Sequence, residues 1–240
     1  MERAVANSVV SKVSVPAARL AIAASAAAFL LLVSLHVLSP EFSPAWRMVS
    51  EYANGRYGWV LSLMFAAYGL ASLVLAFAIR SQLTTRRGRL GLGLLVVAGI
   101  GQASAAQFDL NQEALHELSG FLGIVCLPVA AMLISPMLGR ARLPLFTANL
   151  TWISVIAWIG TFVLMIATFM QALGGLPDTP PEELPNGVIA LVGWANRLVV
   201  ISAWAWVSTV AWHAIQLHTS ARDASGQNVR VAPGVPSPSL

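Results

Sequence analysis

The residues best suited to proton transfer lie close to the ends of long apolar stretches. Asp109 and His116 flank a short turn between two such stretches, and Glu51 lies just before another. A carboxylate and an imidazole are the usual partners in general acid/base catalysis. The sequence therefore predicts Asp109, His116 and Glu51 as catalytic residues, with Glu51 orienting the pair. The alternative is a charged helix start, in which Glu113 faces the positive end of the helix dipole.

Arg197 lies inside the last apolar stretch. An arginine at membrane depth is costly and usually faces the bundle interior with a partner. We expect Glu51 or Asp109 to be that partner. Three roles stay open: a structural ion pair, a clamp for a phosphate or carboxylate group, and a side chain that snorkels to the interface.

Polar and aromatic side chains near these groups form a predicted substrate-binding set. Ser50 has two further interpretations, the N-cap of the second helix and a nucleophile that would need a neighbouring base. The predicted substrate-binding residues are Arg197, Asn196, Trp194, Ser50 and Tyr52.

Two further features are candidates for ligand sites. A metal ion would need His36, His116 and Asp109 to converge, and nothing in the sequence brings them together, so we predict no metal site and name no cofactor. Trp204 and Trp206 fall near mid-membrane in the last stretch, where they are either packed bulk or an aromatic pocket for an apolar or cationic ligand.

The composition indicates which elements position these residues. Of the 240 residues, 57% are hydrophobic and 10% are charged, whereas soluble domains carry roughly 25% charged residues. Spanning helices need about 20 mostly apolar residues, and six stretches are long enough. The predicted fold is all-α, an integral membrane bundle of six transmembrane helices over residues 20–217, with a cytoplasmic segment 1–19 and a disordered cytoplasmic tail 218–240. The stretches are 20–38, 57–79, 90–107, 116–138, 145–173 and 188–217.

Charge is divided between the two sides of this topology. Eleven of the fourteen basic residues fall on one side and eight of the ten acidic residues on the other. Basic loops mark the cytoplasmic side, so both termini are predicted to be cytoplasmic and the acidic connections to lie outside. This topology accounts for the excess of basic residues. Nucleic-acid binding is not predicted, because no basic run is interleaved with aromatic residues.

Several short motifs, taken in their order along the chain, resemble those of a prokaryotic membrane family catalogued as domain of unknown function 998. The likeness covers about residues 20–218, and it implies a six-helix protein of the bacterial cytoplasmic membrane with no established activity. Family members often have Phe-Pro-x-Asp where this chain has Gln107-Phe108-Asp109. The motifs are Ser39-Pro40-Glu41, Ser50-Glu51-Tyr52, Tyr57-Gly58-Trp59, Phe108-Asp109 with His116, and Gly193-Trp194-Ala195-Asn196-Arg197.

A remoter likeness is to intramembrane metal-dependent hydrolases of the alkaline ceramidase type. Ser50, Asp109 and His116 correspond to their serine, aspartate and one histidine. The paired histidines of the last helix are missing from the outer side, since His213 and His218 are predicted to be cytoplasmic.

Two functions follow as hypotheses. The first is a membrane-embedded enzyme that acts on a lipid or isoprenoid, either as a hydrolase or as a terpene cyclase in which Asp109 protonates an alkene or epoxide. The second is a non-catalytic protein for lipid binding or transport, or a partner subunit, in which the polar cluster is a structural ion-pair network. The oligomeric state is left open.

Overall fold

Helices make up the whole of the regular structure in the described part of this computed structural model. It describes residues 13–108, 112–138, 142–177, 181 and 183–220, with the backbone alone at residues 113 and 221–230. No strand occurs in these ranges, so the all-α prediction is confirmed. The six long helices are α1 (Val15–Leu38), α2 (Gly58–Ile79), α3 (Arg86–Ser104), α4 (Glu113–Ile134), α5 (Arg142–Leu173) and α6 (Val192–Arg230).

Local signals set several helix ends. Proline occupies the first turn of α1, where its missing N–H costs nothing. Thr85 caps α3 by accepting a hydrogen bond from the backbone N–H of Gly88 at 3.0 Å. The helix α6 continues to Arg230, so the backbone of residues 218–230, expected to belong to a disordered tail, is helical.

The helices run alternately up and down and form a ring in chain order. Each packs against its neighbours in sequence, and α6 closes the ring by packing against α1 while also touching α2. Contacts that show the antiparallel directions are Ser14 with Ala78 (α1 and α2), Ser72 with Gln102 (α2 and α3), Thr147 with Thr209, and Ser154 with Ser202 (both α5 and α6).

This arrangement brings the connections 39–57 and 174–191 to one end of the bundle, which we call the acidic end. Thr168 near the end of α5 accepts a hydrogen bond from the backbone N–H of Ile189 at 3.1 Å. A 3-10 helix, Val49–Asn54, lies within the first of these connections and packs against α2 and α6. The opposite end, which we call the basic end, carries Arg80, Arg86, Arg87 and Arg89.

Five of the helices are long and apolar enough to cross a membrane: α1, α2, α4, α5 and α6. The protein is therefore a multi-pass membrane protein. The third helix, α3, falls outside this set because Arg86, Arg87 and Arg89 open it and Gln102 lies near its end. Its 19 residues still pack closely, since a Cβ on Gly101 would lie 2.8 Å from the carbonyl oxygen of Ser119 on α4.

Candidate functional site

Arg197 is the centre of a hydrogen-bond network at the acidic end. The residue is only 2% exposed. Its Nε donates to Nε2 of His36 at 2.8 Å, and its Nη2 donates to the hydroxyl of Tyr52 at 3.0 Å. Its Nη1 donates to backbone carbonyls at 2.7, 3.0 and 3.3 Å, those of Arg47, Gly193 and Pro44. Within the described ranges, Arg197 has no carboxylate partner.

Neutral acceptors thus surround a buried cation. Burying a charge is costly unless hydrogen bonds replace its hydration, and five acceptors do so here. His36 is neutral in this arrangement: its Nδ1 donates to the carbonyl of Leu32 at 2.7 Å, which leaves Nε2 as the acceptor for Arg197. The network joins α1, α6 and the connection 39–57.

The start of α6 is fastened to the same connection by two further contacts. The backbone N–H of Gly193 donates to the carbonyl of Ala45 at 3.0 Å. Asn196 is 8% exposed, and its Oδ1 accepts the backbone N–H of Val49 at 2.9 Å. Asn196, predicted to bind substrate, therefore provides the acceptor for a backbone N–H in the first turn of the 3-10 helix. Gly193 must lack a side chain, because a Cβ there would lie 2.5 Å from the carbonyl oxygen of Pro44.

Glu51 pairs with Arg47, and the predicted ion pair between Glu51 and Arg197 is wrong. Glu51 Oε2 accepts from Arg47 Nη1 at 2.7 Å, and its Oε1 accepts the backbone N–H of Met48 at 2.7 Å. Arg47 precedes the 3-10 helix and lies four residues before Glu51, and it takes the carboxylate in place of Arg197. Nη2 of Arg47 reaches the carbonyl of Pro181 at 3.0 Å and so links the two connections of the acidic end.

His116 makes a contact of its own at the start of α4. Its Nδ1 donates to the carbonyl of Phe108 at 2.8 Å, and Nε2 is then the basic nitrogen. No hydrogen bond within the described part of the chain joins His116 to Glu51 or Arg197. Asp109 lies outside the described residues, so its predicted partnership with His116 stays a prediction.

The remaining predicted residues differ in exposure. Tyr52 is 0% exposed and bonded to Arg197, whereas Trp194 is 50% exposed. Ser50 lies inside the 3-10 helix, and Tyr57 is the N-cap of α2. The N-cap prediction for Ser50 is therefore wrong, because the 3-10 turn separates it from α2. In the described ranges no group of three or more His, Cys, Asp or Glu side chains is placed to hold a metal ion.

A groove runs between α1 and α6 below this network. Its upper part, about 380 Å³, is lined from α1 by Phe29, Leu32, Val33 and His36 and from α6 by Trp194, Arg197, Leu198 and Ile201. Its lower part, about 250 Å³, is lined by Ile22, Ser25, Ala26, Phe29, Ile201, Trp204, Ala205 and Ser208. Phe29 and Ile201 line both parts, and we call the two parts together the α1–α6 groove.

Sequence reasoning missed the groove and the role of His36. The signal was present, because on each helix the lining residues recur at the three- and four-residue spacing of one helical face. Trp204, one of the two residues of the hypothesised aromatic pocket, lines the groove, while Trp206 donates its Nε1–H to Ser135 Oγ at 2.9 Å. Which helical faces meet depends on how the ring of helices closes, and the pattern of a single helix does not reveal those contacts.

The fold and this network define a multi-pass helical membrane protein with a lateral groove between its first and last helices. Residues 22–213 match the model of the family described as "Protein of unknown function (DUF998)". The chain belongs to this family, as its motifs suggested. Neither a curated protein nor a solved structure matches it.

Proposed function

We propose that this protein binds a membrane lipid whose chain lies in the α1–α6 groove. The observation that carries the proposal is the groove itself, whose two parts adjoin at Phe29 and Ile201 and whose lining is mostly apolar and includes exposed side chains such as Phe29, Val33 and Leu198. Lipid tails are as apolar as these side chains. A chain can therefore enter sideways from the bilayer without crossing water.

Arg197 is better suited to shaping the top of the groove than to clamping an anion. Its described hydrogen bonds all go to protein atoms, and it is almost fully buried. Trp194 is half exposed beside it, and tryptophan favours the membrane interface. In this proposal Trp194 touches the lipid near its head group. Arg197 holds the wall of the groove in place through its hydrogen bonds to His36 and Tyr52.

The proposal includes a six-span topology with both termini in the cytoplasm. The helix α3 lies between α2 and α4 in the ring, and 19 residues extend for about 28 Å at about 1.5 Å per residue. That length is close to the hydrocarbon thickness of about 30 Å. Its first-turn arginines lie at the basic end, where they can snorkel to the cytoplasmic head groups.

A photoreactive lipid tests the groove. The purified protein is placed in vesicles with phosphatidylglycerol that carries a diazirine on its acyl chain, and adducts are mapped by mass spectrometry after illumination. We expect adducts on Leu198 and Ile201 that decrease when Val33→Trp fills the groove. The control Leu30→Trp changes an exposed residue of α1 outside the groove and should leave them unchanged. Equal adducts in both variants would contradict the proposal.

A catalytic function is a second candidate, and one contact favours it. The bond from His116 Nδ1 to the carbonyl of Phe108 selects the tautomer in which Nε2 accepts a proton, as a general base must. In that case Asp109 and His116 transfer protons at the acidic end on a lipid or isoprenoid substrate. Glu51 would act only after leaving Arg47.

Lipid turnover by single variants decides between the two candidates. Wild type, Asp109→Asn and His116→Ala are incubated with membrane lipid extracts, and products are followed by mass spectrometry. Catalysis predicts a product that both substitutions abolish while photolabelling of the groove persists. Identical lipid profiles with all three proteins would rule the catalytic function out.

A further inference from the structure

His36 uses both of its ring nitrogens in hydrogen bonds. Nδ1 lies 2.7 Å from the carbonyl oxygen of Leu32, and Nε2 lies 2.8 Å from Nε of Arg197. A carbonyl only accepts and a guanidinium only donates, so Nδ1 carries the ring proton and Nε2 carries none. The bond that joins α1 to α6 at the top of the α1–α6 groove therefore exists only while His36 is neutral.

A second proton on His36 would meet the Nε–H of Arg197. It would set two donors against each other and place two positive charges side by side, where Arg197 is only 2% exposed and water screens charge poorly. The guanidinium stays charged at every relevant pH and keeps four other acceptors. Arg197 is thus held in place, and His36 is the partner that must move away.

Few ionisable groups face His36 from the elements around it. Arg197 faces it from α6, and Tyr52 faces it from the connection 39–57 with ring centroids 6.0 Å apart. The helix α2 has one titratable side chain, that of Tyr68. The other ionisable side chains described on α1 and α6 lie toward the basic end: Arg19, His213 and His218.

The carboxylates of the connection 39–57 do not compensate the two charges. Glu51 pairs with Arg47 at 2.7 Å. Within the described ranges, neither Glu51 nor Glu41 forms an ion pair with His36 or Arg197. A charged imidazole would therefore repel the guanidinium with no acidic group to bridge them.

Protons from the acidic end can reach this imidazole. His36 is partly exposed and lies two residues before Leu38, the last residue of α1. That separation is about 3 Å along the helix at about 1.5 Å per residue. Histidine changes its charge between about pH 5 and 8, so the solution at the acidic end sets the charge of His36.

We propose that the bond between His36 and Arg197 is a pH switch for the α1–α6 groove. This inference rests on the proposed lipid-binding function and adds its regulation. While His36 is neutral, the bond holds together the two side chains that line the upper groove from α1 and α6. Protonation of His36 breaks the bond, the end of α1 moves away from α6, and the groove holds a lipid chain less tightly.

Spin labels on the two helices test this switch. Val37→Cys on α1 and Leu191→Cys, just before α6, change exposed residues, and Cys126→Ala removes the chain's one cysteine. Pulsed electron paramagnetic resonance measures the distance between the labels in detergent at about pH 8 and about pH 5. We expect a reversible shift to longer distances in acid. His36→Gln offers an amide oxygen to Arg197 and does not titrate, so its distance should not shift.

His213→Gln is the matched control. Nε2 of His213 donates to the carbonyl of Leu138 at 3.0 Å near the basic end, so this substitution should leave the acid-induced shift intact. A shift that persists in His36→Gln, or that is absent from the wild type, would overturn the inference.

NMR of histidine labelled with a nitrogen isotope gives a second measurement that does not depend on the folding of His36→Gln. The triple variant His116→Gln/His213→Gln/His218→Gln leaves His36 as the only histidine. At about pH 8 we expect a proton on Nδ1 and none on Nε2, and at about pH 5 a proton on both. A proton on Nε2 at the higher pH would overturn the inference, and so would a doubly protonated ring with an unchanged label distance.

Photolabelling separates the switch from the broader proposal. Adducts of the diazirine phosphatidylglycerol on Leu198 should decrease in acid in the wild type and stay constant in His36→Gln. If adducts are absent at both pH values while the label distance still shifts, lipid binding is overturned and the switch stands. If adducts are equal at both pH values while the distance shifts, the groove binds lipid and its regulation by His36 is overturned.

Discussion

Arg197 donates its Nε–H to Nε2 of His36 across 2.8 Å, and this bond joins the last helix of the bundle to the first. The two residues are 161 positions apart in the sequence. The bond lies at the top of the α1–α6 groove, which both residues line. Closure of the helical ring and the shape of the groove therefore depend on the same contact.

Removing the imidazole should destabilise the bundle. In His36→Ala, Nε of Arg197 loses its acceptor while staying buried, and an unsatisfied buried donor costs about 1–3 kcal/mol or more when charged. We expect a lower melting temperature in detergent. Ser34→Ala is the control, since Ser34 donates to the carbonyl of Leu31 in its own helix. Equal melting temperatures for His36→Ala and the control would show that the bond contributes nothing.

Arg197 should also protect the first connection from proteolysis. Its Nη1 holds the carbonyl of Arg47 at 2.7 Å, which is the carbonyl that trypsin would attack. A hydrogen bond to a charged group contributes about 1.5–3 kcal/mol, so Arg197→Ala should raise cleavage after Arg47 by about tenfold or more. Arg197→Lys should be intermediate, because an ammonium lacks the guanidinium fork.

Arg80→Ala is the matched control for this experiment. The guanidinium of Arg80 bonds to the carbonyl of Phe77 in its own helix, at the opposite end of the bundle. Its loss should leave cleavage after Arg47 unchanged. Cleavage that rises equally in Arg80→Ala and Arg197→Ala would reflect general loosening and would refute the protective role.

The helices could be located from sequence, whereas the partners of Arg197 could not. Long apolar runs are sufficient to locate the ends of α1 to α6 within a few residues, except the C-terminal end of α6, which continues to Arg230, because a bilayer demands such runs. Three acceptors of Arg197 are backbone carbonyls, those of Pro44, Arg47 and Gly193. Every residue type carries a carbonyl, so no pattern of side chains predicts this. A carboxylate was the natural expectation, but the carboxylate of Glu51 pairs with Arg47.

Gly193 should tolerate no side chain. A Cβ there would lie 2.5 Å from the oxygen of Pro44 and 2.6 Å from that of Arg47, and overpacking of this kind costs about 1–3 kcal/mol. Gly193→Ala should therefore lower the melting temperature. Gly160 on α5 has nothing within 4 Å of the same position, so Gly160→Ala should be neutral or slightly stabilising, as helix propensity favours alanine. A neutral Gly193→Ala would show that the connection can move away.

Hydroxyl pairs between α5 and α6 should contribute weakly. Ser154 Oγ and Ser202 Oγ are 2.8 Å apart and buried. Such bonds within membranes average about 0.6 kcal/mol in double-mutant cycles. A cycle of Ser154→Ala and Ser202→Ala, read by unfolding in detergent, should give a coupling energy of that size. A coupling energy near zero would mean that each hydroxyl is satisfied by its own helix, to which both also bond.

The six-span topology can be checked with single cysteines. Cys126 is the chain's one cysteine, so Cys126→Ala gives a background without thiols. Asn54 lies at the acidic end and Arg86 at the basic end, and both are exposed. With a membrane-impermeant maleimide on intact cells, Asn54→Cys should label and Arg86→Cys should label only after lysis.

Because α2 alone separates these positions, Arg142→Cys is needed to test α3. Arg142 is exposed and opens α5, after α4. If α3 spans the membrane, Arg142→Cys shares the cytoplasmic side of Arg86→Cys, and labelling of it on intact cells would refute the sixth span.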